Sequence, residues 1–307
     1  MSDELSGRLM NNSSQPDKST TTTSKCDHTK LLSQRNTHLP PNLHLSYSTT
    51  HPLHITLGTM QYMYDCHSIQ YLDCYNNVAH VGHSNKYISE RIHKQSALIN
   101  TNTRYLDHHL INYVTELIEY MPSGLSVVYL VNSGSEANEL ALRLAQSATN
   151  FHATEYITVD SCYYGNTSKL IELSPYKFNG VGGNGKAKHI HVAELPDMYR
   201  GRYRDPLTAG ELYAANIHEL IQSIHKKDKQ LCAFISESVL SCGGQLVLPH
   251  NYLSLVYQYV RSVGGICIAD EVQTGLGRCG KFLATQLYTD CIPDIVTLGK
   301  PLGNGYV

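Results

Sequence analysis

Long apolar runs are missing from this sequence. None approaches the roughly 20 residues that a membrane-spanning helix needs, so no membrane anchor is expected. An excess of one charge is missing too: 24 Lys and Arg stand against 26 Asp and Glu, a formal net charge of −2. That balance leaves no basic field to draw nucleic acid or an acidic membrane. Charged residues make up 16% of the chain beside 41% hydrophobic, enough apolar material for a core and too little charge for an unfolded chain. The nine cysteines, scattered from Cys26 to Cys291, include no C-x-x-C pair. They read as reduced thiols, not as a disulfide framework or a zinc site. His80 and His83 lack a partner cluster, and no metal is expected.

What is there divides by composition. At 307 residues the length fits two domains or one large one. Residues 1–40 form a polar tail, expected to be disordered because runs such as Ser19–Ser24 bury too little apolar surface. The tail has no apolar stretch for a secretory signal; Asp3, Glu4 and Asp17 oppose a strong mitochondrial presequence, and Arg8, Lys18, Lys25 and Lys30 leave one open. Short alternating segments at 54–58 and 61–65 suit strands, and helical spacing runs over 87–98 and 106–120. Beyond them, strand runs are predicted at 126–131, 156–159, 187–192, 231–235, 265–269 and 294–298. Helical patterns at 136–147, 212–225 and 252–263 fall between some of them. The alternation predicts an α/β fold, a mostly parallel sheet sandwiched by helices.

Four segments carry chemistry. Gly180–Lys186 matches G-x-x-x-x-G-K, but Ala187 stands where Ser or Thr is needed, no buried strand precedes it and no helix pattern follows. It reads as a surface loop. Asn132-Ser133-Gly134-Ser135-Glu136 lies between a strand and a helix, so it can be an ordinary N-cap or an anion nest. Asp270 ends a strand run, where an acid can hold a cationic ring nitrogen or cap the next turn. Lys300 follows another strand run among glycines, where an amine can lose solvation and act as a nucleophile.

Together these segments resemble class III pyridoxal-phosphate aminotransferases, over roughly residues 45–305. The stretches Tyr71–His83, Ser174–Phe178, Tyr199–Arg204, Glu237-Ser238 and Ser241–Gln245 are similar to one branch of that class. That branch holds ethanolamine-phosphate and 5-phosphohydroxy-lysine phospho-lyases, also called alanine–glyoxylate aminotransferase 2-like proteins. The resemblance implies the fold type I of pyridoxal-phosphate transferases, with residues 41–95 contributing to a small domain and 96–307 forming an incomplete cofactor-binding large domain.

It also implies roles. Gly134 and Ser135 would bind the phosphate of pyridoxal 5'-phosphate, Tyr163 would stack on its ring, and Tyr164 stands where relatives commonly have His. Asp270 would pair with the ring nitrogen, and Gln273 would approach the ring hydroxyl. Lys300 would form the Schiff base and shuttle protons, with Glu237 an acid near the substrate. The substrate would be a small amine, handled by transamination or by phosphate elimination from a phosphorylated amino alcohol. Arg200, Arg202 and Arg204 are either an arginine fork for a substrate phosphate or solvated charges.

Relatives continue past position 307, so the resemblance implies a fold incomplete at the C-terminus. A strand between those ending at Val131 and Leu298 and the C-terminal small domain would be absent. Two readings follow: an enzyme, homodimeric in its full-length form, or a catalytically inactive form that acts only as partner to a full-length subunit. Family membership implies mitochondria; the acidic residues near the start favour the cytoplasm.

Overall fold

The computed structural model describes residues 28–47, 51–149 and 151–306. The chain divides into two compact units at Asp73/Cys74. In the first, helix α1 (His28–His38) forms within the segment expected to be disordered; residues 1–27 lie outside the described residues. Strands β1 (Ile55–Thr59), β2 (Tyr62–Asp65) and β3 (Gln70–Leu72) make an antiparallel meander. The β2–β3 turn is fixed by Asp65, whose Oδ1 accepts the His67 and Ile69 N–H groups at 2.9 and 2.8 Å while Tyr71 donates to Oδ2 at 3.1 Å.

Cys66 is held in a disulfide, which corrects the reduced-thiol reading at that position; Cys74, Cys162, Cys232, Cys242, Cys267, Cys279 and Cys291 are free. His28, Cys66 and His67 bring ligand atoms within 4.8 Å of one another. With its sulfur in the disulfide, Cys66 is no thiolate donor, and two imidazoles remain.

The second unit opens with helices α2 (Lys86–Ser96), α3 (His108–Glu119) and α4 (Gly134–Ala148). Next come β4 (Glu155–Val159), short helices α5 (Ser168–Leu173) and α6 (Pro175–Phe178), β5 (Ile190–Ala193) and α7 (Ala209–His225). The chain continues through β6 (Leu231–Glu237), the small hairpin β7 (Val239–Leu240) and β8 (Leu246–Val247), and α8 (Tyr252–Ser262). It closes with β9 (Ile266–Glu271) and β10 (Ile295–Leu298). Five strands form one parallel sheet in the order β10-β9-β6-β4-β5. Every residue of β4 and β6 is buried, which is why both read as near-continuous strand-forming runs and not as alternating ones.

Helices cover both faces. Asp270 meets α4 through Asn138, whereas Cys267, three residues earlier and so on the opposite face, contacts α8 at Tyr257. Residues 126–131, predicted as a strand, join no ladder, and Val127 is 78% exposed. The physical reason is that β10 ends the sheet, so among the described residues no partner strand is available to this apolar run.

Glu271 anchors the loop that follows β9. It is fully buried, and its carboxylate accepts the Ala284 and Thr285 N–H groups at 2.8 and 2.7 Å and the Thr274 hydroxyl at 3.0 Å. Glu271→Ala would strand two buried backbone donors. It should destabilise the protein by about 4 kcal/mol and lower its melting temperature by about 10 °C. Thermal unfolding checks this; a fall under about 2 °C would contradict it.

Candidate active site

Parallel register sets the side chains of the site abreast. Glu237 pairs with Asp270, and Asp270 with Thr297, at the C-terminal ends of β6, β9 and β10. This is the edge at which open parallel sheets present ligand-binding side chains. Lys300 follows three residues beyond Thr297, in a 3₁₀ turn spanning Lys300–Leu302.

The N-terminus of α4 faces the same space. Ser133 caps it, accepting the Glu136 N–H at 3.1 Å, while the Glu136 carboxylate accepts from the backbone and side chain of Asn132 at 2.8 and 2.9 Å. Gly134 and Ser135 therefore contribute first-turn N–H groups that no intrahelical carbonyl can satisfy. The backbone closes tightly here: a Cβ on Gly134 or Gly299 would lie 2.5 or 2.6 Å from Val272 Cγ1, so Val272 is gripped between the two glycines.

A cavity of about 850 Å³ is lined by all seven residues singled out in the sequence: Gly134, Ser135, Tyr163, Glu237, Asp270, Gln273 and Lys300. Its wall includes both Val127–Val131 and Ile295–Leu298. Asn138, Val272 and Thr297 also line it and were not anticipated. A signal existed for Asn138, a polar residue on the stripe 138, 141, 142, 145 that α4 buries.

Two acids meet at this edge. Asp270 is 4% exposed, and burial, reinforced by the charge of Glu237, raises its pKa to about 7. The Val272 N–H, the Asn138 amide and Lys300 oppose that rise. Burial also raises the pKa of Glu237, against donors from the Ser241 hydroxyl, the Tyr163 N–H at 3.4 Å and the Ser241 N–H at 3.3 Å. Tyr163 is half-buried, its ring edge-on to Tyr176 at 5.8 Å.

Tyr164 also lines the cavity but commits its hydroxyl elsewhere, and the remaining candidates stay outside. Tyr164 turns into the core, accepting from Thr158 Oγ1 at 2.8 Å and donating to the Ile235 carbonyl at 2.9 Å. Arg200, Arg202 and Arg204 are absent from the cavity wall; Arg204 donates to the Gly201 and Arg200 carbonyls. The Gly180–Lys186 segment is a surface turn followed by β5, with no helix to complete a phosphate loop. His80 contacts the Leu276 carbonyl and Arg278.

An open parallel sheet with an amine, an acid and a helix N-terminus converging at its carboxyl edge defines an α/β protein with a cavity suited to a small anionic ligand. Comparison with known proteins gives the class a name. The profile described as Aminotransferase class-III matches residues 46–307, and the chain belongs to that family. It is 45% identical to an alanine–glyoxylate aminotransferase 2-like protein of Drosophila melanogaster, over 91% of this chain and 56% of that protein. It is 38% identical to ethanolamine-phosphate phospho-lyase homolog 1 of Caenorhabditis elegans, over 90% of this chain and 61% of that protein. Among solved structures, a phospholyase from Arthrobacter in complex with phosphoethanolamine superposes with a TM-score of 0.82 at 34% identity. That match covers 90% of this chain and 64% of the other. The chain thus spans about three fifths of the length of the relatives it matches. Among the described residues no helix is long and apolar enough to cross a membrane.

Proposed function

We propose that the chain carries the cofactor-binding half of a pyridoxal-phosphate-dependent phospho-lyase. In this reading it removes phosphate from a small phosphorylated amino alcohol of the phosphoethanolamine type. The observation that carries the reading is the convergence of Lys300, Asp270 and the Gly134–Ser135 helix start on one cavity. The cavity suits the cofactor: the helix start answers a phosphate, the buried acid a ring nitrogen, and the strand-end amine an aldehyde. The choice of elimination over transamination rests on the phospho-lyase relatives at 38% and 34% identity. Homodimeric assembly and a mitochondrial compartment belong to the same reading and rest on family membership alone.

Each residue then has a task. Gly134 and Ser135 would hold the cofactor phosphate with backbone N–H groups, Asp270 would pair with the ring nitrogen, and Tyr163 and Gln273 would contact the ring and its hydroxyl. When bound, pyridoxal phosphate supplies the electron sink that makes a carbon–hydrogen bond next to the substrate nitrogen acidic. Lys300 would hold the cofactor through Nζ, and its amine would be the base for the proton at the substrate carbon. Glu237, whose carboxyl pKa burial pushes up, would face the substrate.

Reduction with borohydride in the presence of pyridoxal phosphate, followed by peptide mass mapping, tests the site. A single adduct on Lys300 is expected, with phosphate and ammonia released in equal amounts from phosphoethanolamine by the loaded protein. Adducts spread over surface lysines, or none, would reject the reading and favour a catalytically inactive partner chain. Amino transfer to a keto acid without phosphate release would replace elimination by transamination.

A further inference from the structure

We propose that Asn138, its amide oriented by Thr297, is a positioning residue that fixes the rotamer of Asp270 and keeps its carboxyl group aimed into the cavity. The proposal rests on the site reading above, but its geometry stands apart from any ligand. Asn138 is 1% exposed and uses its amide fully. Its Nδ2 donates to the Tyr164 carbonyl at 2.8 Å and to Asp270 Oδ2 at 2.7 Å, and its Oδ1 accepts from Thr297 Oγ1 at 2.7 Å.

The orientation of that amide is forced. The Tyr164 carbonyl can only accept, so the NH₂ must face it, and the second N–H then points at Asp270. Flipping Asn138 would set its oxygen against two acceptors. The Thr297 hydroxyl closes the arrangement by donating to the opposite end. Thr297 and Asp270 are register partners on adjacent strands, so sheet and helix together hold the three side chains in contact.

Asp270 gains a directional environment. Oδ2 accepts from Asn138 and Oδ1 from the Val272 N–H at 2.9 Å, so a proton on either oxygen competes with a donor already in place. Bonds to the charged form favour it. The other titratable groups that face Asp270 are Glu237 from β6, Lys300 after β10, Tyr163 after β4 and Cys242. Glu237 raises the carboxyl's affinity for a proton and Lys300 lowers it. Burial works against the charge, and among the described residues Asn138 is the uncharged side chain whose contact with the carboxylate opposes it.

The test uses the full chain without cofactor, then with it. Urea unfolding of the cofactor-free protein between pH 5 and 9 reports Asp270 titration as the difference between wild type and Asp270→Asn. In Asn138→Ala that titration should move up by about one to two pH units, with no such movement when Asp270→Asn is already present. Thr297→Val, which keeps shape and removes the donor, should move it in the same direction, and Thr297→Ser should restore it. In the loaded protein, Asn138→Ala should weaken pyridoxal phosphate binding at pH 8 about tenfold or more, read from the cofactor absorbance. Unchanged titration in both Asn138→Ala and Thr297→Val would overturn the proposal. A wild-type chain that fails to bind pyridoxal phosphate yet shows the titration shift would overturn the site reading and leave this inference standing.

Discussion

Replacing Lys300 with alanine should remove covalent capture of pyridoxal phosphate and lower turnover by a factor of about 10⁴ or more. In the proposed function two separate tasks would rest on one nitrogen: nucleophilic attachment of the cofactor, and proton transfer at the substrate carbon, the latter alone worth roughly 10² to 10⁴. Among the described residues no other lysine lines the cavity, so no neighbouring amine can substitute. The fold should tolerate the change, because Lys300 is only half-buried and sits in a short 3₁₀ turn beyond the end of the sheet. Melting within about 2 °C of wild type would show that chemistry and not structure was lost. The decisive measurement is the reduced-peptide map: an adduct that persists at another site with turnover intact would sink the assignment of Lys300.

Much of this site was legible because its chemistry sits at the ends of strongly patterned segments. β9 is an apolar run buried on both sides, and Asp270 near its end marks the ligand edge without knowledge of the strand order, whereas Glu237, beyond the predicted 231–235 run, came only from the family resemblance. Strand order decides whether those residues meet. It depends on pairing between segments separated by tens of residues, which local periodicity cannot encode. Thr297 is invisible for that reason: only its register with Asp270 makes it part of the site. Residues 126–131 failed in the opposite direction. Their composition is that of a buried strand, but strand formation needs a neighbour to share a ladder, and among the described residues β10 has none on its outer side. The α1 helix was missed because nothing in its sequence is amphipathic enough to distinguish it from a polar tail, and it buries no residue.

The acid tells more than the amine, because its replacement should act with opposite signs in the two states of the protein. The pKa of Asp270 is raised from an ordinary 3.8 to about 7, so the folded chain binds a proton that the unfolded chain has already lost. The stability this contributes is complete below about pH 4 and is lost as pH rises through 7. Between pH 4 and pH 8 the cofactor-free wild type should therefore lose on the order of 4 kcal/mol relative to Asp270→Asn. The variant carries a fixed penalty of its own: the amide introduced by Asp270→Asn offers one acceptor to two donors, the Val272 N–H and the Asn138 amide, at about 1–3 kcal/mol. That penalty shifts the curves without changing their slopes, so the pH dependence is the quantity to compare. A cationic ring nitrogen beside the carboxylate reverses the balance. It stabilises the charged form, so pyridoxal phosphate should raise the melting temperature of wild type at pH 8 and do so far less for the variant. The ranking at pH 8 should then invert on addition of cofactor: the variant is the more stable protein without it, the wild type with it. Parallel pH profiles for the two proteins would mean that Asp270 is ionised without strain in the empty fold. An equal cofactor-induced rise in both would mean that the ring nitrogen lies elsewhere.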